Sequence, residues 1–205
     1  MGTHAGTAQR TNNRVKPLLD AAASQFAAKG YRETTIRDIA TAVGMLPGSV
    51  YYHFASKQAL LLAVYEEGVR RISSRLDESV AGESDPWQKL RNATEAHLET
   101  ILDQSDYARV MIRVMPEQVP DIELDLIHLR SDYEDRFVAL IDALPLQEDV
   151  DRGLLRLMLL GASNWTQIWY RAGSAPVHDI AQAFVDFLRL PLMPDTADEV
   201  TVREC

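Results

Sequence analysis

Residues 34–57 read TTIRDIATAVGMLPGSVYYHFASK, and this stretch constrains the chain more than any other. Ile36, Ile39, Ala40 and Val43 recur at the spacing of one face of a short helix. Gly44 follows, the residue best able to take the backbone turn after a helix end. Pro47 then opens a second short helix, because its fixed φ suits a first helical position. That helix carries Ser49, Tyr51, Tyr52 and His53. Two short helices joined by a tight glycine turn form a helix-turn-helix, whose second helix fits a DNA major groove.

Thr35-Ile36-Arg37-Asp38-Ile39-Ala40, Val43-Gly44, Gly48-Ser49-Val50-Tyr51-Tyr52-His53-Phe54 and Ser56-Lys57 together resemble the DNA-binding signature of the TetR family of transcriptional regulators. The resemblance is ungapped and covers residues 14 to 62; the remainder shows only the family's general plan. There are two departures. Leu46 stands where the family often has a Ser or Thr capping the second helix. Gln58 and Ala59 offer Ser56 no acidic partner, so Ser56 is expected to cap the following helix alone.

The charge is unevenly distributed. Residues 1–60 hold seven Lys/Arg against three Asp/Glu, a net of +4, and the rest carries −13, for −9 in all. A basic head on an acidic body fits a segment that touches phosphate and a body that does not. The one cysteine, Cys205, cannot build a disulfide framework or a zinc site and fits a cytoplasmic protein. No apolar signal core begins the chain, and no apolar run nears the roughly 20 residues of a membrane span.

Helical periodicity continues throughout, with no convincing period-two stretch. The expected fold is all-α: a three-helix helix-turn-helix head and a larger helical body, about nine helices in total. The first helix is expected from Asn13 or Lys16 to Lys29, with Pro17 in its first turn and Gly30 ending it. A helix from Lys57 to about Val80 links head and body. Further helices are expected over 87–102, 107–115, 120–143, 150–171 and 177–190. Residues 1–13 are read as a disordered arm, 14–60 as the DNA-binding head, 61–192 as the ligand-binding and dimerisation domain, and 193–205 as a flexible tail.

By the family pattern, Ser49, Tyr51, Tyr52, His53 and Lys57 map onto positions that touch DNA. Thr35 and Arg37 begin the preceding helix, where N–H groups and a hydroxyl can hold a phosphate. Pro47 and Gly48 allow close backbone approach. Tyr51 has a second reading, as a core residue of the head.

One reading helix binds weakly, so a homodimer is expected, its heads about 34 Å apart on one DNA face. The resemblance implies that the last two helices pair with their copies. Leu155 and Leu159, with Ile180, Phe184, Phe187 and Leu188, are the seam candidates; plain intrachain core is the alternative. Tyr107, Met111, Met115, Phe137, Asn164, Trp165 and Trp169 are candidates for an effector pocket, though aromatics and Met at helical spacing are more often core. An apolar or aromatic acid, or its thioester, fits such a lining.

Enzyme signatures are missing: no Gly-rich phosphate loop, HExxH or G-x-S-x-G occurs, and the five His are scattered. No metal or cofactor is expected. The reading is therefore a dimeric, ligand-released repressor of a palindromic operator. The alternatives are an activator of the same fold, or a helical ligand-binding protein without a DNA role.

Overall fold

The computed structural model describes residues 5–189 except 104, 172 and 174, with side chains from Arg14 onward. The described residues are all-α. Nine helices follow in order: α1 (Ala5–Lys29), α2 (Ile36–Ala42), α3 (Pro47–His53), α4 (Lys57–Val80), α5 (Pro86–Leu102), α6 (Asp106–Arg113), α7 (Glu123–Asp142), α8 (Arg152–Trp169) and α9 (Val177–Arg189). None of them is long and apolar enough to cross a membrane.

The helix ends depart from expectation where local chemistry decides them. α1 begins at Ala5, so Pro17 lies inside it and residues 5–13 are helical where a disordered arm was expected. Residues 1–4 and the expected tail at 193–205 lie outside the described residues. α6 stops at Arg113 because Pro116 forces Met115 into extended backbone, φ −82° and ψ 144°. Pro116 and Pro120 each open a short 3-10 turn, which delays α7 to Glu123. α8 starts at Arg152 because the Asp151 carboxylate accepts from the Leu154 amide at 2.9 Å.

The chain divides into two compact units. One comprises Met1–Arg75 and Thr100–Glu134, the other Leu76–Glu99 and Asp135–Cys205, so α4, α5 and α7 each run through a division. In the first unit α1 packs on α2 and on α6, and α2 packs on α3. Its core is built from Leu18, Ala22, Phe26, Ile39, Val50, Leu60, Leu61 and Val64. A 45-residue head buries too little alone; α4 and α6 complete it. In the second unit Leu98, Ile180 and Ala181 form a cluster on which Tyr170, Val177 and Phe184 lean.

Candidate functional site

The loop from α1 to α2 is fixed before any site residue is placed. Gly30 takes φ 86° and donates from its amide to the Phe26 carbonyl, closing α1. The buried Thr34 hydroxyl donates to the carbonyls of Gly30 (2.8 Å) and Gln25 (3.0 Å). Lys57, the first residue of α4, covers the same loop. Its ammonium donates to the carbonyls of Tyr31 (2.9 Å), Thr34 (3.0 Å) and Arg32 (3.3 Å) and stands 4.4 Å over the Tyr31 ring. Partial burial lowers the Lys57 pKa. The lysine expected to meet phosphate thus spends its three N–H donors inside the head.

Thr35 is similarly occupied. Its hydroxyl accepts from the Asp38 amide and donates to Asp38 Oδ2 at 2.7 Å, while Asp38 accepts from the Thr35 amide at 2.9 Å. This is a reciprocal capping box. These bonds, the backbone one foremost, lower the Asp38 pKa, helped by Lys29 at 3.3 Å. The T-x-x-D spacing at 35–38 was the available signal, and sequence reasoning passed over it. Arg37 is exposed beside this box.

Gly44, at φ 64°, makes the turn into α3. No side chain caps α3: Leu46 occupies the cap position and makes no capping bond. Val50 is fully buried and anchors the helix to the head, so the opposite arc faces outward. That arc carries Tyr51 (52 % exposed), Gly48 and Tyr52 (80 % exposed). Tyr51 is therefore outside the core. Ser49, His53 and Pro47 flank the arc, half-buried. The Tyr52 and His53 rings meet edge to face at 5.3 Å, fixing each other's direction. Behind α3, Ser56 caps α4 alone, accepting from the Ala59 amide at 3.0 Å.

α6 is latched to α1 within the same unit. The Tyr107 hydroxyl donates to Asp20 Oδ1 at 2.8 Å, and the Arg71 guanidinium lies 4.0 Å over the Tyr107 ring. Burial first, then Asp20, raises the Tyr107 pKa, so the hydroxyl stays protonated. Arg109 and Arg113 both donate to the Ala27 carbonyl near the end of α1. Met111 presses on Gly68 of α4, where an added Cβ would stand 2.8 Å from its sulfur. Arg130 joins α7 to this assembly, donating to Tyr65 Oη at 2.6 Å and to the Met111 carbonyl. Met115 is partly exposed. Of the pocket candidates, Tyr107 and Met111 therefore serve as packing and latch.

In the second unit, buried Phe137 meets His97 edge to face at 5.4 Å, and His97 Nε2 lies 3.2 Å from Asn164 Oδ1. Burial pushes the His97 pKa down to about 4, so the ring is neutral and Nε2–H donates. Next to Asn164 in sequence, the Ser163 hydroxyl is buried without a hydrogen-bond partner.

α8 separates two apolar faces. Leu155 and Leu159, expected at a seam, are buried in their own protomer, as is Ile180 of α9. The exposed face instead carries Leu154, Leu157, Met158, Trp165 (63 % exposed), Ile168 and Trp169, interrupted only by the small Gly161 and Ala162. Their spacing of three and four residues makes one stripe. Trp165 and Trp169 thus belong to an outer surface of the protomer. On α9, Phe187 is 71 % exposed, while Phe184 and Leu188 are half-buried. Among the described residues no group of His, Cys, Asp and Glu could hold a metal ion.

Comparison with known proteins places two family domains on the chain. Residues 18–64 match the profile of bacterial regulatory proteins, tetR family, and residues 83–192 match the tetracyclin repressor-like C-terminal domain. The HTH-type transcriptional repressor KstR2 of Rhodococcus jostii (strain RHA1) is 27% identical over 188 residues, spanning 86% of this chain and 90% of that one. The crystal structure of superantigen PfiT has a TM-score of 0.75 at 28% identity and covers 83% of this chain and 93% of that one. The structure of AibR in complex with isovaleryl coenzyme A and operator DNA shares the fold, with a TM-score of 0.71 at 20% identity over 85% of this chain and 97% of that one.

Proposed function

This chain belongs to the TetR family of bacterial transcriptional regulators, and on that premise we propose that it is a dimeric repressor released from its operator by a small apolar effector. The observation that carries the DNA role is the outward arc of α3. A structural helix of seven residues would not turn two tyrosines to water while burying only Val50. Phenol, imidazole and hydroxyl groups on that arc suit phosphates and base edges.

The stripe on α8 supports the dimer reading. Six large apolar side chains on one exposed face of α8 make a patch of the kind that marks a protein interface, and Phe187 on α9 is exposed as well. Gly161 leaves open space where a Cβ would stand, so a second helix can approach closely there. An isologous pairing presents both heads to one face of DNA.

The effector reading rests on the body. The buried Ser163 hydroxyl lacks a partner, and an unmade buried hydrogen bond costs about 1–3 kcal/mol. A ligand oxygen accepting from Ser163, the residue before Asn164, would satisfy it. An acyl thioester or an apolar acid supplies both that oxygen and an oily chain, and the AibR complex with isovaleryl coenzyme A shows one such ligand on this fold. The effector favours a head spacing that no longer matches successive major grooves, a shift of populations.

Fluorescence anisotropy with duplexes from the gene's own upstream region tests the proposal. Nanomolar binding at low salt, weakened by an acyl-coenzyme A panel, is expected. Absence of binding to any duplex contradicts it.

A further inference from the structure

Leu46 is 77 % exposed at the cap of α3, a position where a side-chain oxygen would stabilise the helix. Leucine there gives no capping bond and leaves an apolar side chain in water at the leading end of a seven-residue helix. A recognition helix enters the major groove with its N-terminal residues toward the base edges. In that groove the bases present donors, acceptors and one apolar group, the C5-methyl of thymine. Gly48, two residues along and exposed with open space around it, removes a side chain that would hold this end of α3 away from the bases.

We propose that Leu46 is a specificity-determining residue that packs on a thymine methyl in each half-site. The inference rests on the DNA-binding reading above and adds the chemical class of the base it selects. Its energetic scale is that of one buried methyl, about 0.8 kcal/mol, which converts to about fourfold in affinity per half-site.

The test uses the full chain and duplexes enriched by it from a randomised pool. In the enriched duplex each thymine is replaced in turn by deoxyuridine, which lacks only the methyl. At one thymine per half-site the wild-type protein should lose about fourfold. Leu46→Ala should bind more weakly overall and be indifferent to that replacement. Leu46→Ser, which restores a capping hydroxyl, should melt no lower than wild type and be equally indifferent, so a loss of folding cannot mimic the result. If both variants respond to every deoxyuridine as wild type does, or wild type responds to none, the role of Leu46 is overturned while DNA binding stands. If no duplex is enriched at all, the DNA-binding reading itself fails.

Discussion

Lys57 places its ammonium nitrogen 4.4 Å from the centre of the Tyr31 ring and 2.9 Å from the Tyr31 carbonyl oxygen. The first residue of the linking helix therefore ties down the loop that positions α2. Hydrogen bonds from a charged donor are worth about 1.5–3 kcal/mol each when well made. Lys57→Ala should lower the stability of the head by about 2 kcal/mol, read by chemical denaturation. DNA affinity should fall with it, but the slope of log affinity against log salt should not change, because no phosphate contact is lost. A slope reduced by about one would instead identify Lys57 as a phosphate ligand.

Gly48 separates folding from recognition. A Cβ there meets nothing within 4 Å, and the backbone does not need positive φ. Gly48→Ala should leave the melting temperature unchanged or raise it, since alanine favours helix by up to about 1 kcal/mol. Operator affinity should drop at least tenfold, about 1.4 kcal/mol, because the added methyl holds α3 off the DNA. Unchanged affinity would place the DNA elsewhere.

The two faces of α8 make opposite predictions. Trp165→Arg on the exposed stripe should yield a monomer of wild-type helicity, seen by light scattering. Leu155→Ala, in the intrachain core, should cost about 2–5 kcal/mol of stability and leave the assembly intact. The reverse pattern would return the seam to the face assigned from sequence.

His97 gives the second unit a defined acid response. Its folded pKa, about 4, is depressed from 6.5 by burial. The neutral ring contributes stability fully above pH 6.5, where both states are unprotonated. As pH falls from 6.5 toward 4 the unfolded chain binds a proton that the folded chain refuses, so stability drops, by an amount on the order of 3 kcal/mol. His97→Gln should flatten the melting temperature over that window. An equally steep decline in the variant would assign the acid response to other groups.

Glu67 acts lower on the scale. The Arg70 hydrogen bond first, with Arg71, holds its carboxylate near a pKa of about 2, against an ordinary 4.5. Its contribution is present above pH 4.5 and lost as pH falls from there toward 2. Glu67→Gln should remove the part of the acid unfolding that lies below pH 4.5, followed by circular dichroism.

Much of this was legible in the sequence because it is local. The period of Ile36, Ile39 and Ala40, the turn at Gly44 and the proline at 47 fix two short helices with no knowledge of distant contacts. The outward arc of α3 follows from Val50 alone once the head core is identified. What the sequence hid is long-range. Periodicity shows that α8 is apolar on two faces, yet which face meets its own protomer depends on α5, α7 and α9. Hence the sequence leaves Leu155 and Leu159 open between seam and intrachain core, and Trp165 and Trp169 between pocket and core, whereas the first pair is buried and the second exposed. Lys57 was equally opaque: the carbonyls that take up its charge lie 23 to 26 residues earlier in the chain.

The most direct measurement is sedimentation of the full chain, alone and with a duplex of its upstream DNA, at low ionic strength. The account predicts twice the chain mass alone and at least one such pair bound per duplex. A lone subunit that leaves the duplex free would contradict it.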